Sequence, residues 1–291
     1  MKKRDFFSKK IKKSGVLLAF VAIMAFSLTY LKSYRKSRAS NKNKHIVVII
    51  PSYNNMKWYE KNLSMLAAQE KTYKNWKAIY IDDCSKDDTG QAVEHYIKKH
   101  NLEHKIKLIK NTVNKGAMYN LYHAIHSCKN GDIVVTLDGD DWFKDEHVLS
   151  YINQVYQDKN VWMTYGQYEI YPSGKTGHCQ KIPDVITSQN AFRKFRWLSS
   201  HLRTFYAGLF KKIAKKDLLY ENKFYAMTWD MAMMFPMLEM AGKHAVSIDK
   251  VLYVYNQENP INDWKKDLKL VLHLEKQIRG KEKYNKIHAI T

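Results

Sequence analysis

Four short runs rich in β-branched residues recur along the chain: HIVVII at 45–50, KAIYI at 77–81, IKLI at 106–109 and DIVVTL at 132–137. Amphipathic stretches around 57–69, 88–100 and 116–128 separate them. This alternation restricts the fold more than any other feature. Strand, helix, strand in regular succession predicts right-handed βαβ units and a mostly parallel, Rossmann-like α/β sheet covered by helices on both faces. Ligands of such sheets bind outside the carboxyl ends of the strands. The loops at those ends read PSYNN, DDCSKDDT, NTVNKG and DGDDW, all polar and two strongly acidic.

The second half is less regular. WMTYGQYEIY (162–171), TFYAGLF (204–210), AVSID and VLYVY read as strands, and TWDMAMMFPMLEMAG (228–242) reads as a helix enclosing Pro236. From Trp264 to Ile278, apolar residues near helical spacing lie among Lys and Arg. That pattern predicts a C-terminal amphipathic helix, packed on the core or lying on a membrane.

At 291 residues and 45% apolar content the chain can build one sizeable core. Its net charge of +21 is uneven, with 13 Lys/Arg against one acid in residues 1–44. That charge flanks GVLLAFVAIMAFSLTYL (15–31), an uncharged apolar segment. A membrane is therefore the expected partner, and nucleic acid is not. A retained single-pass anchor is favoured over a signal peptide cleaved near Ala25 and Ser27, because the apolar run continues past that site to Leu31. Seven Lys/Arg precede the segment and six follow it before residue 45, so the side on which the domain lies is open. The expected layout is a basic tail (1–14), a transmembrane anchor (15–31), a basic stem (32–44), a catalytic domain (45–258) and a C-terminal amphipathic helix and tail (259–291). Cys84, Cys128 and Cys179 are too widely and irregularly spaced for a disulfide framework or a zinc site. Asn62 begins a sequon, Asn-Leu-Ser.

TLDGDDWF (136–143) places three carboxylates in four positions directly after an apolar run. Two carboxylates one residue apart at a strand end can share one hard cation, and Mg²⁺ or Mn²⁺ prefers such oxygen ligands. Asp138 and Asp140 fit that pattern. A cation there would stabilise the charge on a departing diphosphate. The plainer reading is a solvated acidic turn, since Asp-Gly is a common turn dipeptide.

VVIIPSYNN, IDDCSKDDT, NKGAMYN and GDIVVTLDGDDW, in this order and spacing, resemble the nucleotide-sugar domain of family 2 glycosyltransferases. The resemblance covers about residues 45–255 and implies the GT-A fold. It also implies that the base of a nucleotide is held by Pro51, Ser52, Tyr53, Asp82 and Asp83. Tyr53 can stack on a pyrimidine and a carboxylate can accept its ring N–H. Tyr53 read by itself is an ordinary loop aromatic, and Asp83 and Ser85 are also candidates to cap the next helix. Lys115 and Gly116 match the family's Asn-x-Gly loop, which begins here at Asn114. Asn120, Leu121 and Tyr122 depart from the Ala-Arg-Asn that relatives carry nearby, which leaves Lys115 to supply a basic contact. Asp138, Gly139 and Asp140 match the metal and diphosphate motif.

An inverting transfer needs a base for the acceptor hydroxyl. The resemblance implies an Asp at a helix start some ninety residues past the metal motif, and Asp230 lies 90 residues after Asp140. Trp229 beside it offers a flat face for a sugar ring. Asp230 is equally placed to stabilise the helix N-terminus through the macrodipole. Arg196 and Trp197 resemble the Arg-Trp of processive polysaccharide synthases, but they precede Asp230 where that element should follow it, which argues for transfer of one sugar at a time. His201 and Arg203 are candidates for phosphate or acceptor contact, or a plain surface pair. No His stands between 245 and 272, where many relatives close a loop over the diphosphate, so that contact falls to Asn or is absent.

The resulting expectation is a membrane-anchored, metal-dependent inverting glycosyltransferase. Its cofactor would be Mn²⁺ or Mg²⁺, its donor a nucleoside-diphosphate sugar (most often UDP in the family), and its acceptor a glycan or lipid-linked hydroxyl. The alternatives are a non-catalytic binding protein of the same fold and a sugar nucleotidyltransferase. The latter is disfavoured because PSYNN has no glycine to cradle a triphosphate.

Overall fold

Strand β1 (Ile46–Ser52) is buried at every position, which explains an unbroken apolar run where a half-exposed strand would alternate. Ile46, Val48 and Ile50 enter one core; Val47 and Ile49 enter a second. The structure, a computed structural model, describes residues 43–290. Strands β2 (Trp76–Asp82) and β3 (Ile106–Lys110) extend the sheet in parallel on one side of β1, and β4 (Ile133–Thr136) joins in parallel on the other.

Helices α1 (Tyr59–Ala68) and α2 (Thr89–Lys99) cover the first face with Leu63, Leu66, Val93 and Ile97. Helix α3 (Ala117–Ser127), which carries the chain from β3 back across to β4, covers the opposite face with Met118, Leu121 and Ile125. Helix α4 (Val148–Val155) returns to the first face. Full burial of each such aliphatic side chain stabilises by about 1.5–3 kcal/mol. Because the order in which strands are added reverses between β1 and β4, which run parallel, the crevice of the sheet opens there, at their carboxyl ends.

Strands β5 (Trp142–Phe143), β6 (Met163–Tyr171), β7 (Lys175–Thr176), β8 (Arg203–Tyr206) and β11 (Ala245–Asn256) complete the sheet, whose order is β3-β2-β1-β4-β8-β6-β11-β5 with β7 beside β6. β9 (Leu219–Tyr220) and β10 (Lys223–Phe224) form a separate pair. The expected mostly parallel sheet is mixed in its second half: β8 runs antiparallel to β4 and β6, and β5 antiparallel to β11. The chain reaches β8 from β6 through the β7 hairpin, a five-residue helix and irregular chain, with no long helix to carry it back across the sheet as in the βαβ units. AVSID and VLYVY, read as two strands, are one continuous strand, and the strand expected over 204–210 turns into a short helix at Ala207.

Helix α5 (Trp229–Ala241) is buried from Met231 onward, Pro236 and Glu239 included. A helix apolar on all sides has to lie inside a core. Helix α6 (Leu268–Gly280) packs Leu274 and Ile278 against the same core and leaves Leu268 and Leu272 exposed.

The membrane assignment is corrected. Among the described residues no helix is long and apolar enough to cross a membrane, so single-pass localisation has no support. The tail at 1–14, the segment 15–31 and most of the stem lie outside the described residues.

Candidate active site

A cavity of about 560 Å³ opens at the carboxyl ends of β1 and β4, where the sheet order reverses. Pro51, Tyr53, Asp83, Gly116, Asp138, Asp140, Trp229 and Asp230 line it. Sequence elements up to 220 residues apart, from Pro51 to Val271, therefore converge on one space. Ser52, Asp82, Lys115 and Gly139, also predicted for the site, are not among its lining residues. Ser52 is buried and accepts hydrogen bonds from Tyr80 Oη (2.9 Å) and Asn55 Nδ2 (3.0 Å). Asp82 is buried against Gly90, at which a Cβ would come within 2.7 Å of its Oδ2. Lys115 directs its ammonium over the Tyr119 ring, 4.8 Å from the centroid.

The acidic loop rests on a buried polar foundation. Asn62 of α1, wholly buried, donates its amide to the carbonyls of Asp138 (3.0 Å) and Asp141 (2.7 Å). The sequon asparagine is thus a structural tie of this loop. Asp141 Oδ2 accepts from Tyr253 Oη at 2.5 Å and its Oδ1 from the Asn256 amide at 2.7 Å. Burial, then the charges of Asp140 and Asp138, push the Asp141 carboxyl well above its ordinary value. Gly139 passes so close to β1 that a Cβ there would lie 2.5 Å from Ser52 Oγ. Only glycine lets the two strand-end loops approach in this way.

Asp138 and Asp140 face the cavity from this base. Burial raises Asp140 to about 6, with Asp138 adding repulsion, although Asn259 Nδ2 donates to its Oδ2 at 2.7 Å. Burial would raise Asp138 too, but the hydrogen bond from His201 and the charge of Arg203 hold it below the usual carboxylate range. Asp138 Oδ1 is buried without a hydrogen-bond partner. An unpaired buried carboxylate oxygen is costly, and a hard divalent cation is the partner that neighbouring carboxylates fit. Asp138, Asp141 and His201 also offer ligand atoms lying within 4.8 Å of one another. Asp138, Asp140, Asp141 and His201 all line the cavity, and both Asp141 oxygens already accept short hydrogen bonds.

The sequence left His201 and Arg203 open between site and surface, and both are buried in the site. Arg203, 1% exposed, directs Nη2 to Asp138 at 3.4 Å and Nη1 to Asp230 at 3.3 Å. His201 stacks on Tyr253 at 4.6 Å and stands 3.6 Å from Asp138 Oδ2. Burial and then the Arg203 charge lower the pKa of its imidazole. Arg196, by contrast, pairs with Gln180 on the surface, and Trp197 packs on Phe235.

Asp83 takes a capping role different from the expected one. Its carboxylate accepts from the backbone N–H of Lys115 (3.0 Å) and Gly116 (2.7 Å), and so secures the entry to α3. The start of α2 is held instead by Asp87, whose Oδ1 accepts from Thr89 N at 3.2 Å, while Ser85 Oγ accepts from Asn54 N. The late loop closes on the acidic site through asparagine: Asn256 Nδ2 donates to the Asp140 carbonyl and Asn259 to its carboxylate. Asp263, Lys266 and Val271 then form a further part of the cavity wall.

Solved structures define the class of this fold. The chain is similar to TarS 1–349 of S. aureus in complex with UDP-GlcNAc, with a TM-score of 0.52 and 17% identity over 74% of this chain and 59% of that one. It is also similar to the mannosyltransferase PcManGT of Pyrobaculum calidifontis in complex with GDP-Man and Mn²⁺, with a TM-score of 0.56 and 19% identity over 89% and 74%. At these identities the likeness establishes the α/β, GT-A-like fold. The model of glycosyl transferase family 2 matches residues 47–218, and the chain belongs to that family. Among curated relatives, the poly(ribitol-phosphate) β-N-acetylglucosaminyltransferase TarS of Staphylococcus aureus is 32% identical over 99 residues, 34% of this chain and 17% of that protein. The glycosyltransferase GlyG of Streptococcus pneumoniae is 26% identical over 191 residues, 62% and 59%. The chain thus spans only part of the length of these relatives.

Proposed function

We propose that this protein is a metal-dependent, inverting glycosyltransferase that moves one sugar from a nucleoside-diphosphate sugar to a hydroxyl of a glycan or lipid-linked acceptor. The observation that carries the reading is the meeting of Asp138, Asp140 and Asp230 in one cavity, with a buried guanidinium between Asp138 and Asp230. Family membership and the nucleotide-sugar complexes of the structural neighbours support it.

Pro51, Tyr53, Asp83 and the Lys115–Gly116 turn form the nucleotide side in this reading. Asp138 and Asp140 would hold Mn²⁺ or Mg²⁺, and when bound that ion neutralises charge on the departing diphosphate. Across the Arg203 guanidinium from Asp138, Asp230 takes the proton of the acceptor hydroxyl as its oxygen bonds to the anomeric carbon. The sugar–diphosphate bond breaks with its electron pair on the diphosphate. Trp229 supplies an apolar face beside the sugar. Residues 45–258 would then be the transfer domain, but Asn259, Asp263 and Lys266 also line the cavity, so the C-terminal segment 259–291 belongs to the working unit.

The test is nucleoside-diphosphate release and acceptor mass shift over a panel of nucleotide sugars, with Mn²⁺ and with EDTA. Asp140→Ala is expected to lower turnover by about 10²–10³-fold. Release that ignores both EDTA and this substitution would refute the metal role.

A further inference from the structure

The guanidinium of Arg203 is divided between two carboxylates. Its Nη1 contacts Asp230 Oδ2, its Nη2 contacts Asp138 Oδ2, and its Nε donates to Thr136 Oγ1 at 3.2 Å. Its flat face lies 4.9 Å from the Trp229 ring centroid. Asp138 follows β4 and Asp230 begins α5, so one planar group links the ends of two elements whose sequence positions are 92 apart. A second buried arginine shows what simple charge compensation looks like here. Arg193 gives both Nε (2.6 Å) and Nη2 (2.9 Å) to Glu239 alone. Arg203 forgoes that stronger bidentate pairing.

The other Asp230 oxygen, Oδ1, accepts from the Met231 amide at 2.9 Å. With Oδ2 on Arg203, rotation of this carboxylate is restrained at both ends. A general base works only when its lone pair is aimed at the proton it takes, and a third group commonly orients it.

We propose that Arg203 is a positioning residue that aims the Asp230 carboxylate at the acceptor and fixes its placement relative to Asp138. This rests on the glycosyl-transfer reading of the cavity. Arg203 acts through Asp230 and does not touch the reacting atoms. Lysine cannot replace it, because one ammonium on a flexible stem lacks the rigid fork that spans both carboxylates.

The experiment compares Arg203→Lys, Asp230→Asn and the double variant, using whichever nucleotide sugar the wild type turns over with Mn²⁺. Thermal unfolding confirms that each is folded. Arg203→Lys is expected to lower kcat about 10²-fold, the scale of a misaimed catalytic group, and to lower the affinity for the released nucleoside diphosphate with Mn²⁺, measured by calorimetry, by a clearly smaller factor. The double variant is expected to be no slower than Asp230→Asn alone. Added guanidinium is expected to restore part of the activity of Arg203→Ala. Losses that multiply in the double variant, or wild-type kcat in Arg203→Lys, would overturn the proposal. A crystal structure of Arg203→Lys reads the same question without turnover: the Asp230 carboxylate is expected to rotate away from Asp138, and an unchanged orientation counts against Arg203. A wild type that releases nucleotide from no donor defeats the glycosyl-transfer reading and leaves this structural readout standing.

Discussion

Asp263 illustrates how one side chain reports on the charge of the whole cavity. Burial first, and then the negative charge of Asp230, push its carboxyl up to about 6, with Lys266 partly opposing. A carboxyl whose folded pKa lies above its unfolded value of about 3.9 destabilises the fold while ionised. That penalty is complete above pH 6, shrinks between pH 6 and pH 4, and vanishes below. In metal-free protein Asp263→Asn is therefore expected to be more stable than wild type at pH 8, by at most about 3 kcal/mol, and by no more than about 0.5 kcal/mol at pH 4. Urea unfolding at the two pH values checks this, and an equal gain at both would remove the electrostatic explanation. The acidic loop itself was legible in the chain because Asp138, Asp140 and the apolar strand before them are sequence neighbours. Asn62 was not legible as a site residue, and for His201 and Arg203 the sequence could not choose between a site contact and a surface pair. Their roles depend on partners 27 to 79 positions away, and a buried arginine and a surface arginine look alike in a sequence.

Elements decide how closely the site residues approach. The loops after β1 and β4 touch only because position 139 is glycine, where a Cβ would sit 2.5 Å from Ser52 Oγ and 2.7 Å from Asn55 Nδ2. Gly139→Ala is expected to destabilise by about 1–3 kcal/mol, the usual scale of overpacking, and to weaken nucleotide and Mn²⁺ binding by displacing Asp140. Denaturant unfolding and calorimetry measure the two effects; binding unchanged alongside normal stability would show that the loop gives way freely. The parallel half of the sheet was readable because β1 and β4 are buried apolar runs, β2 and β3 keep apolar residues around exposed lysines, and each crossover is an amphipathic helix. The antiparallel half was not. β8 contributes only four residues, and its direction follows from how the chain is routed, which no local pattern encodes.

Over the whole molecule, the C-terminal segment is fastened to the core by a buried charge pair. Glu239, wholly buried on α5, receives two nitrogens of Arg193 and the Tyr284 amide, while Arg193 Nη1 also donates to the Ile278 carbonyl at 2.6 Å. Glu239→Ala would leave the Arg193 charge buried and unpaired, and is expected to cost about 3–5 kcal/mol, read from urea unfolding. A loss below about 1 kcal/mol would mean that water reaches the arginine. This fastening places the segment after residue 258 against the cavity, where Asn259 meets Asp140. Short-range information in the sequence determined the strands, the helices, the polar strand ends and the acidic motif, because periodicity and turn chemistry act over a few residues. Only the tertiary structure decided which charges face one another, which asparagine supports the loop and which arginine stands between two carboxylates. Those outcomes depend on burial and on distances across the chain, and both exist only once the sheet has closed.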